Sequence, residues 1–310
     1  MQELRMLTES DVVVPANVPA EMRDTYIKSY LTATRGTDRV MLMAGDQKIE
    51  HLNDDFYGEG AHEDDAHPEH FFRIASQGEI GCFATQHGLL SQFGSDYKDV
   101  PYLVKMNSKT NKIKVDQADP RSKALCTIQD VVDLRENGGL NVVGIGYTIY
   151  YGSEYESEML AEAGKLIAEA HKNGLIAVVW GYPRGKAVGG SAEEKDSHLI
   201  AGAAGATACL GADFVKVNMP SNGSEGLQEG VAAAGRTGVL ISGGSSQGVH
   251  DFLQFTWDTI HIGGCRGSAT GRNVHQKSLS EAVAMTKAMS ALVYENASVD
   301  EALEIFESSK

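Results

Sequence analysis

The sequence is short of positive charge. Its 310 residues carry 27 Lys and Arg against 42 Asp and Glu, a formal net charge of −15, with a pI near 5.1. That deficit excludes a nucleic-acid binder working by counterion release, which needs a basic face. It also argues against docking on an anionic membrane. Long hydrophobic runs are missing too: no stretch approaches the roughly 18 apolar residues of a membrane span. Met1–Ser10 lacks the apolar segment that follows a basic start in a secretory signal. The four cysteines, Cys82, Cys126, Cys209 and Cys265, form no Cys-x-x-Cys pair. They read as buried free thiols of a reducing, cytoplasmic compartment rather than as a disulfide framework. Proline is scarce at 7, and no low-complexity linker divides the chain. With 42% hydrophobic residues and 34 glycines, the composition is that of a folded protein, not of a disordered or collagen-like chain. The length suits two ordinary domains or one α/β barrel, which commonly reaches about 250 residues.

What is present is a recurrence: a short apolar run, a polar or Gly-rich stretch, then a helical pattern. The apolar runs are Val40–Ala44, Ile80–Ala84, Tyr102–Met106, Val142–Tyr147, Leu175–Trp180, Phe214–Asn218, Val239–Ser242 and Thr259–Gly263. They are continuous rather than alternating, as parallel strands buried on both faces are. Helical periodicity is strongest over Ser153–Asn173, where Met159, Leu160, Ala163, Leu166, Ile167 and Ala170 recur at three- and four-residue steps before Asn173-Gly174 ends the pattern. Asp196–Leu210, Glu225–Ala234, Val249–Thr256 and Ser280–Glu295 are further helices. Gln129–Glu136 is weaker, and Ala20–Ala33 precedes the first strand. Eight right-handed strand–helix alternations close as a (β/α)8 TIM barrel. This assigns residues 1–38 to an N-terminal helical extension and 39–310 to the barrel. The alternative is an open doubly wound sheet, but no Gly-x-Gly-x-x-Gly follows the first strand.

Barrel chemistry gathers at the carboxyl ends of the strands. The polar residues expected there are Asp46, Lys105, Asn107, Tyr182, Arg184, Lys216, Asn218, Ser242-Gly243-Gly244 and Gly263-Gly264. Lys216, flanked by Val215 and Val217, is desolvated on a strand, which lowers its pKa. A neutral amine attacks a ketone to give an iminium, an electron sink for C–C cleavage. Equally, such a lysine can snorkel from a strand end or pair with a carboxylate. Lys105 has nearly the same surroundings, so these arguments do not choose between the two. Trp180-Gly-Tyr-Pro-Arg-Gly185 brings an aromatic wall, a phenol for proton relay and a guanidinium fork to the mouth, or else it is a turn. Two Gly-rich stretches, Ser242–Ser246 and Gly263–Gly267 with Gly271-Arg272-Asn273 beyond, end the last two strands, where this fold recurrently binds phosphate through backbone N–H groups. Tight turns explain such glycines as well. The histidine-rich segment His62–His70 does not set ligands on one helix face. With Pro68 and its acids it reads as a solvated loop rather than a metal site. His51, shortly after Asp46, fits either a mouth role or a structural one. Much of the acid, over Asp54–Glu69 and Glu154–Glu162, is distant in sequence from the phosphate loops.

Taken together, Asp46 with Glu50-His51, Lys105-Met-Asn-Ser-Lys-Thr110, Trp180–Gly185, Ala212–Val217, Ser242-Gly-Gly244 and Gly271–Gln276 resemble the archaeal-type class I fructose-bisphosphate aldolases, of the Schiff-base aldolase superfamily. The resemblance implies Lys216 as the Schiff-base lysine, Tyr182 as general acid/base, Asp46 as its proton-transfer partner and Trp180 as a wall. It further implies Ser242, Gly243, Gly244, Gly271 and Arg272 at the phosphate of the dihydroxyacetone-phosphate half, with Lys105 nearby. Arg184, and with it Lys186, is inferred to serve a distal phosphate. The implied enzyme is a cytoplasmic, metal-independent lyase of glycolysis and gluconeogenesis with no cofactor beyond the iminium. It takes phosphorylated ketoses and trioses as partners and forms a homo-oligomer, such as a decamer. Residues 1–37 would be a source of intersubunit contacts. The chain departs from the family at Gln47-Lys48, in place of His-Gly, at His275, in place of an aromatic, and in a longer, more acidic loop over Asn53–His70. A transaldolase-like or deoxyheptulosonate-type synthase is the enzymatic alternative. A non-catalytic barrel that binds a sugar phosphate is the other.

Overall fold

The computed structural model describes residues 3–310; Met1 and Gln2, part of the expected extension, lie outside the described residues. Eight parallel strands close a barrel in chain order. They are β1 (Val40–Ala44), β2 (Cys82–Gln86), β3 (Tyr102–Lys105), β4 (Val142–Tyr151), β5 (Ile176–Pro183), β6 (Phe214–Val217), β7 (Gly238–Ser242) and β8 (Gly267–Thr270). β8 pairs with β1 in the register Val40↔Gly267 through Met43↔Thr270, which shuts the cylinder. The strands are buried nearly throughout, as their continuous apolar runs require. Helices Glu156–Lys172, Ser197–Cys209, Leu227–Ala234 and Leu279–Tyr294 fall close to where the periodicity sets them.

The eighth strand corrects the sequence reading. Thr259–Gly263 is not a strand: the helix Val249–His261 runs through it, burying Phe252, Leu253, Thr256, Thr259 and Ile260 along one face. Gly263-Gly264 then stops that helix. The N–H of Cys265 returns to the Thr259 carbonyl at 3.0 Å, and Gly264 takes a left-handed φ of 78°. The actual β8, Gly-Ser-Ala-Thr, carries too little apolar bulk to register as a strand. Its smallness is enforced by close packing, since a Cβ at Gly267 would run into the backbone of Val40. Gly263 and Gly264 therefore precede β8, at the amino end of the barrel, and are not a phosphate loop.

Arg23–Thr34, preceded by a short turn at Ala20–Met22, lies across that amino end. Tyr30 stacks on Phe214 at 5.7 Å, Tyr26 meets His171 edge-on at 5.8 Å, and Ser29 donates to the Gly174 carbonyl at 2.8 Å. The extension thus covers the end opposite the strand carboxyl termini, leaving the latter as the open mouth. His62–His70 is not a solvated loop throughout. It contains a turn at Glu63–Ala66, and both Asp65 and His70 are buried. His70 Nε2 lies 3.0 Å from the His275 carbonyl and 3.1 Å from that of Lys277, which gives it a structural role. All four cysteines are free; Cys82 and Cys265 are buried, but Cys126 is half-buried and Cys209 is exposed. Among the described residues no helix is long and apolar enough to cross a membrane.

Candidate active site

At the carboxyl end of the barrel a cavity of about 240 Å3 collects residues from strands remote in sequence. β5 delivers Trp180 and Tyr182, two residues apart and so on one face. Its neighbour β6 delivers Lys216, in register with Trp180. Asp46 follows β1, Ser242 ends β7, and Gly271-Arg272 follow β8. Lys216, Tyr182, Asp46, Trp180, Arg184, Ser242, Gly243, Gly244, Gly271 and Arg272 all line the cavity. Lys105 does not. It sits behind the wall, 2% exposed, with Nζ donating to the Asn107 carbonyl at 2.9 Å and 3.6 Å from Asp46 Oδ2. Its Nζ lies 5.1 Å from the centre of the Trp180 ring, and that of Lys216 lies 5.2 Å from the same centre.

Lys216 is 4% exposed. Burial disfavours its ammonium and brings its pKa down to about 8; the Asp46 carboxylate opposes that shift and the Lys105 charge assists it. Among the described residues the Lys216 amine has no hydrogen bond or ion pair, so its lone pair is uncommitted. Tyr182 is driven the other way. Burial, then the negative charges of Glu50 and Asp46, raise its phenol well above the ordinary value, only partly offset by Arg184. At neutral pH the site therefore sets an amine with a substantial free-base fraction beside a phenol that keeps its proton.

The two phosphate-loop candidates are built by glycine at two positions for different reasons. Gly244 adopts φ +67°, a left-handed turn that aims the chain across the mouth. At Gly271 a Cβ would collide with the Gln47 side chain and stand 2.9 Å from the Ala44 carbonyl, so only glycine permits the approach. Arg272 lies beside them. A second, more open cleft of about 570 Å3 continues past Arg184, Ser242, Gly243 and Gly244 toward Lys195, Ser221 and Gln247. Another of the same volume lies at the opposite end, under residues 5–16, and contains none of the lysine, phenol or glycine groups described.

Other expectations separate here. Asn218 lines both mouth cavities, whereas Asn107 is structural, bonding the Thr148 backbone twice at 2.9 and 2.7 Å. Lys186 is exposed and lines neither. His51 lines the main cavity. His275 is fully buried against Asp65 at 2.7 Å and stacks on Phe56 at 4.9 Å. The distance in sequence between the acidic loop and the phosphate loops does not carry into space: Asp55 Oδ2 lies 3.7 Å from Arg272 Nε. Sequence reasoning gave no role to Glu50, which lines the cavity and accepts a hydrogen bond from Tyr150 at 2.9 Å. The signal was its place four residues after Asp46, on one face of a helical turn. It also missed Asn111 and Glu194, which no pattern marks. Among the described residues no three His, Cys, Asp or Glu side chains are arranged to hold a metal.

Residues 40–277 match the family model described as DeoC/LacD family aldolase. A Methanocaldococcus jannaschii protein named fructose-bisphosphate aldolase/6-deoxy-5-ketofructose 1-phosphate synthase is 57% identical over 305 residues, covering 98% of this chain and 97% of its own. A fructose-bisphosphate aldolase structure from Slackia heliotrinireducens superposes with a TM-score of 0.95 at 55% identity, covering 98% and 96% of the two chains. An archaeal fructose-1,6-bisphosphate aldolase, solved with its catalytic lysine covalently bound to the carbinolamine intermediate of the substrate, superposes with a TM-score of 0.73 at 30% identity, covering 86% and 98%. With a barrel of the same form and a match across nearly its whole length, the chain belongs to the DeoC/LacD family of aldolases.

Proposed function

We propose that the protein is a class I fructose-bisphosphate aldolase that cleaves fructose 1,6-bisphosphate reversibly to dihydroxyacetone phosphate and glyceraldehyde 3-phosphate through an iminium on Lys216. The observation that carries this reading is the buried Lys216 amine, its pKa near 8, between the Asp46 carboxylate and the Tyr182 phenol at the end of the barrel that bears the glycine loops. The neutral amine attacks the C2 ketone to form a carbinolamine. Asp46 moves the proton that lets water depart, leaving the iminium. The C4 hydroxyl gives up its proton to a water ordered by the protonated Tyr182 phenol, and the C3–C4 bond breaks. Its electron pair flows into the iminium, leaving an enamine on the three-carbon fragment while glyceraldehyde 3-phosphate departs. Tyr182 gives its proton to C3 and recovers one from the water that took the C4 proton, and water hydrolyses the new iminium to free dihydroxyacetone phosphate and the lysine. The iminium is the electron sink, so the cycle uses no metal and no cofactor.

In this reading Gly243, Gly244, Gly271 and Arg272 hold the ketose C1 phosphate, Trp180 packs against the carbon chain, and Arg184 takes the distal phosphate. Lys105 stays behind the wall, where its charge favours the free base of Lys216. The enzyme serves sugar-phosphate chemistry in the cytoplasm, in either direction of the aldol equilibrium. It self-associates, for which Met6 and Val13 on the extension, 67% and 61% exposed, offer apolar contact surface; light scattering in solution gives the subunit count. A second use of the same enamine, addition to another aldehyde acceptor, is favoured by the open cleft beyond Arg184, which leaves room on the acceptor side. That activity would agree with the synthase name of the Methanocaldococcus relative.

The test is borohydride reduction in the presence of dihydroxyacetone phosphate, followed by peptide mass spectrometry. The adduct is expected on Lys216 and to be lost in Lys216→Met. An adduct on Lys105 alone, or activity abolished by EDTA, refutes the mechanism. Product analysis with fructose 1,6-bisphosphate alone and then with added aldehydes separates cleavage from transfer.

A further inference from the structure

Two arginines stand at the mouth, and against each lies one carboxylate from outside the barrel strands. Arg184 Nε is 3.2 Å from Glu194 Oε2, and Arg272 Nε is 3.7 Å from Asp55 Oδ2. In both pairs the carboxylate faces the inner nitrogen of the guanidinium, as a hydrogen bond from Arg184 Nε to Glu194 and as an ion pair between Arg272 Nε and Asp55. The fork carries five N–H donors in a fixed plane, so a partner at Nε leaves terminal donors for a second anion.

Neither carboxylate is a loose surface acid. The Asp55 carboxylate also bonds His51 Nδ1, and its backbone carbonyl accepts from Gln276 Nε2 at 2.8 Å. Phe56, the next residue, is fully buried and stacks on His275, which in turn pairs with the fully buried Asp65. The N–H of His62 donates to the Gln276 carbonyl at 3.0 Å. The acidic loop is thus clamped to the same segment, Arg272–Gln276, that carries its arginine, and the two are held as one unit. Burial alone would raise the Asp55 carboxyl, but the hydrogen bond and charge of His51, then Arg272, outweigh it and keep it below its usual range. On the other side Glu194 sits in the turn Glu193–Lys195. That turn is tied to the loop after β6 by the Ser221 N–H, which donates to the Lys195 carbonyl at 2.9 Å.

A carboxylate beside a phosphate-binding arginine repels the incoming dianion, so an arrangement repeated at both arginines calls for an offsetting gain. That gain is orientation: an arginine side chain loses much rotamer freedom when it grips an anion, and a partner at Nε removes that freedom beforehand. We propose that Asp55 and Glu194 are positioning residues that aim Arg272 and Arg184 at the C1 and distal phosphates of a ketose bisphosphate, so that this chain's acidic loops set its selectivity for phosphorylated substrates. The proposal rests on the phosphate assignment given above.

The experiment compares Asp55→Ala and Glu194→Ala with Arg272→Ala and Arg184→Ala. Cleavage of fructose 1-phosphate and fructose 1,6-bisphosphate is followed, together with borohydride trapping of Lys216 by dihydroxyacetone and by its phosphate. Asp55→Ala is expected to raise the half-saturating dihydroxyacetone phosphate roughly tenfold, the loss of about one well-aimed charge-assisted hydrogen bond, and to leave trapping by dihydroxyacetone unchanged. Glu194→Ala is expected to raise KM for the bisphosphate by a similar factor while KM for the monophosphate holds. Trapping by unphosphorylated ketone doubles as the folding control. Should an alanine variant fail it, Asp55→Asn or Glu194→Gln, which keep the shape and remove the charge, is read instead, with a smaller shift in the same direction expected. Equal losses for phosphorylated and unphosphorylated ligands, or none for either, overturn the proposal. If the arginine variants discriminate and the carboxylate variants do not, positioning alone falls. If the arginine variants fail to discriminate, the phosphate assignment itself is wrong.

Discussion

Titration of Lys216 offers the sharpest check on the proposed chemistry. An unperturbed lysine has only roughly 0.03% free base at pH 7, whereas one with a pKa of about 8 has roughly a tenth, a gain of about 300-fold in nucleophile. Burial supplies this shift, and nearby charges trim it in opposite senses: Asp46 and then Glu50 favour the ammonium, Lys105 and then Arg272 disfavour it. Asp46→Asn should therefore move the titration of Lys216 below pH 8, by roughly one unit for an opposite charge at close range. Lys105→Met should move it above pH 8, because it removes a repelling charge and also frees Asp46, 3.6 Å from Lys105, to act on Lys216 alone. The assay is single-turnover iminium formation with dihydroxyacetone phosphate, quenched into borohydride across pH 6–10. The logarithm of the rate should climb with unit slope to a break near pH 8 in the unmodified enzyme. The position of the break is the readout, because Asp46→Asn also lowers the plateau by removing a proton carrier. A break near 10 in the unmodified enzyme, or both variants shifting it the same way, refutes the reasoning.

The same depression carries a stability cost. The folded pKa of Lys216 lies below its unfolded value, so the penalty on the charged amine is complete below pH 8 and vanishes as pH rises toward 10.5. It amounts to about 3 kcal/mol. Lys216→Met should accordingly unfold at a higher urea midpoint than the unmodified chain at pH 7, with the gap closing by pH 10; a less stable variant at pH 7 contradicts this. Tyr182→Phe should slow cleavage by roughly 10²–10⁴-fold, the usual contribution of a positioned acid or base, while borohydride still traps the adduct on Lys216; loss of trapping would move Tyr182 to an earlier step. His275→Phe strands the fully buried Asp65 and should cost about 3–5 kcal/mol in denaturant unfolding. Adding Asp65→Leu should recover most of it, and a double variant no better than the single shows that the pair is not the source.

The barrel was legible because seven of its strands are continuous apolar runs bounded by polar or Gly-rich stretches. The eighth was not, because closure against β1 leaves no room for a side chain at Gly267, while the neighbouring apolar run belongs to the buried face of a helix. β4 shows a milder form of the same limit. Its ladder with β5 continues through Ile149↔Gly181 to Tyr151↔Pro183, beyond the apolar core, and so carries Tyr150 to the mouth. Strand-end residues with unusual chemistry stand out from their flanks, which is why Lys216, Lys105, Tyr182 and Asp46 are candidates in the sequence. The carboxylates that meet the arginines did not stand out. Asp55 and Glu194 lie among other acids on loops, and only the packing of Phe56, Asp65 and His275 shows that one of those acids is held in place.

Lys105 and Lys216 sharpen the point. Each ends a buried strand between apolar neighbours, and each amine lies just over 5 Å from the centre of the same Trp180 ring. What distinguishes them is where the tip of each side chain lands. The Lys105 amine donates to the Asn107 carbonyl and faces Asp46. The Lys216 tip meets no acceptor and opens into the cavity. Two like charges at one ring repel, so the Lys105 charge pushes Lys216 toward its free base. A division of labour follows from that contrast. The charge on Lys105 helps hold Lys216 in the basic form that a Schiff base requires, and a sequence in which the two strands look alike holds two unlike lysines.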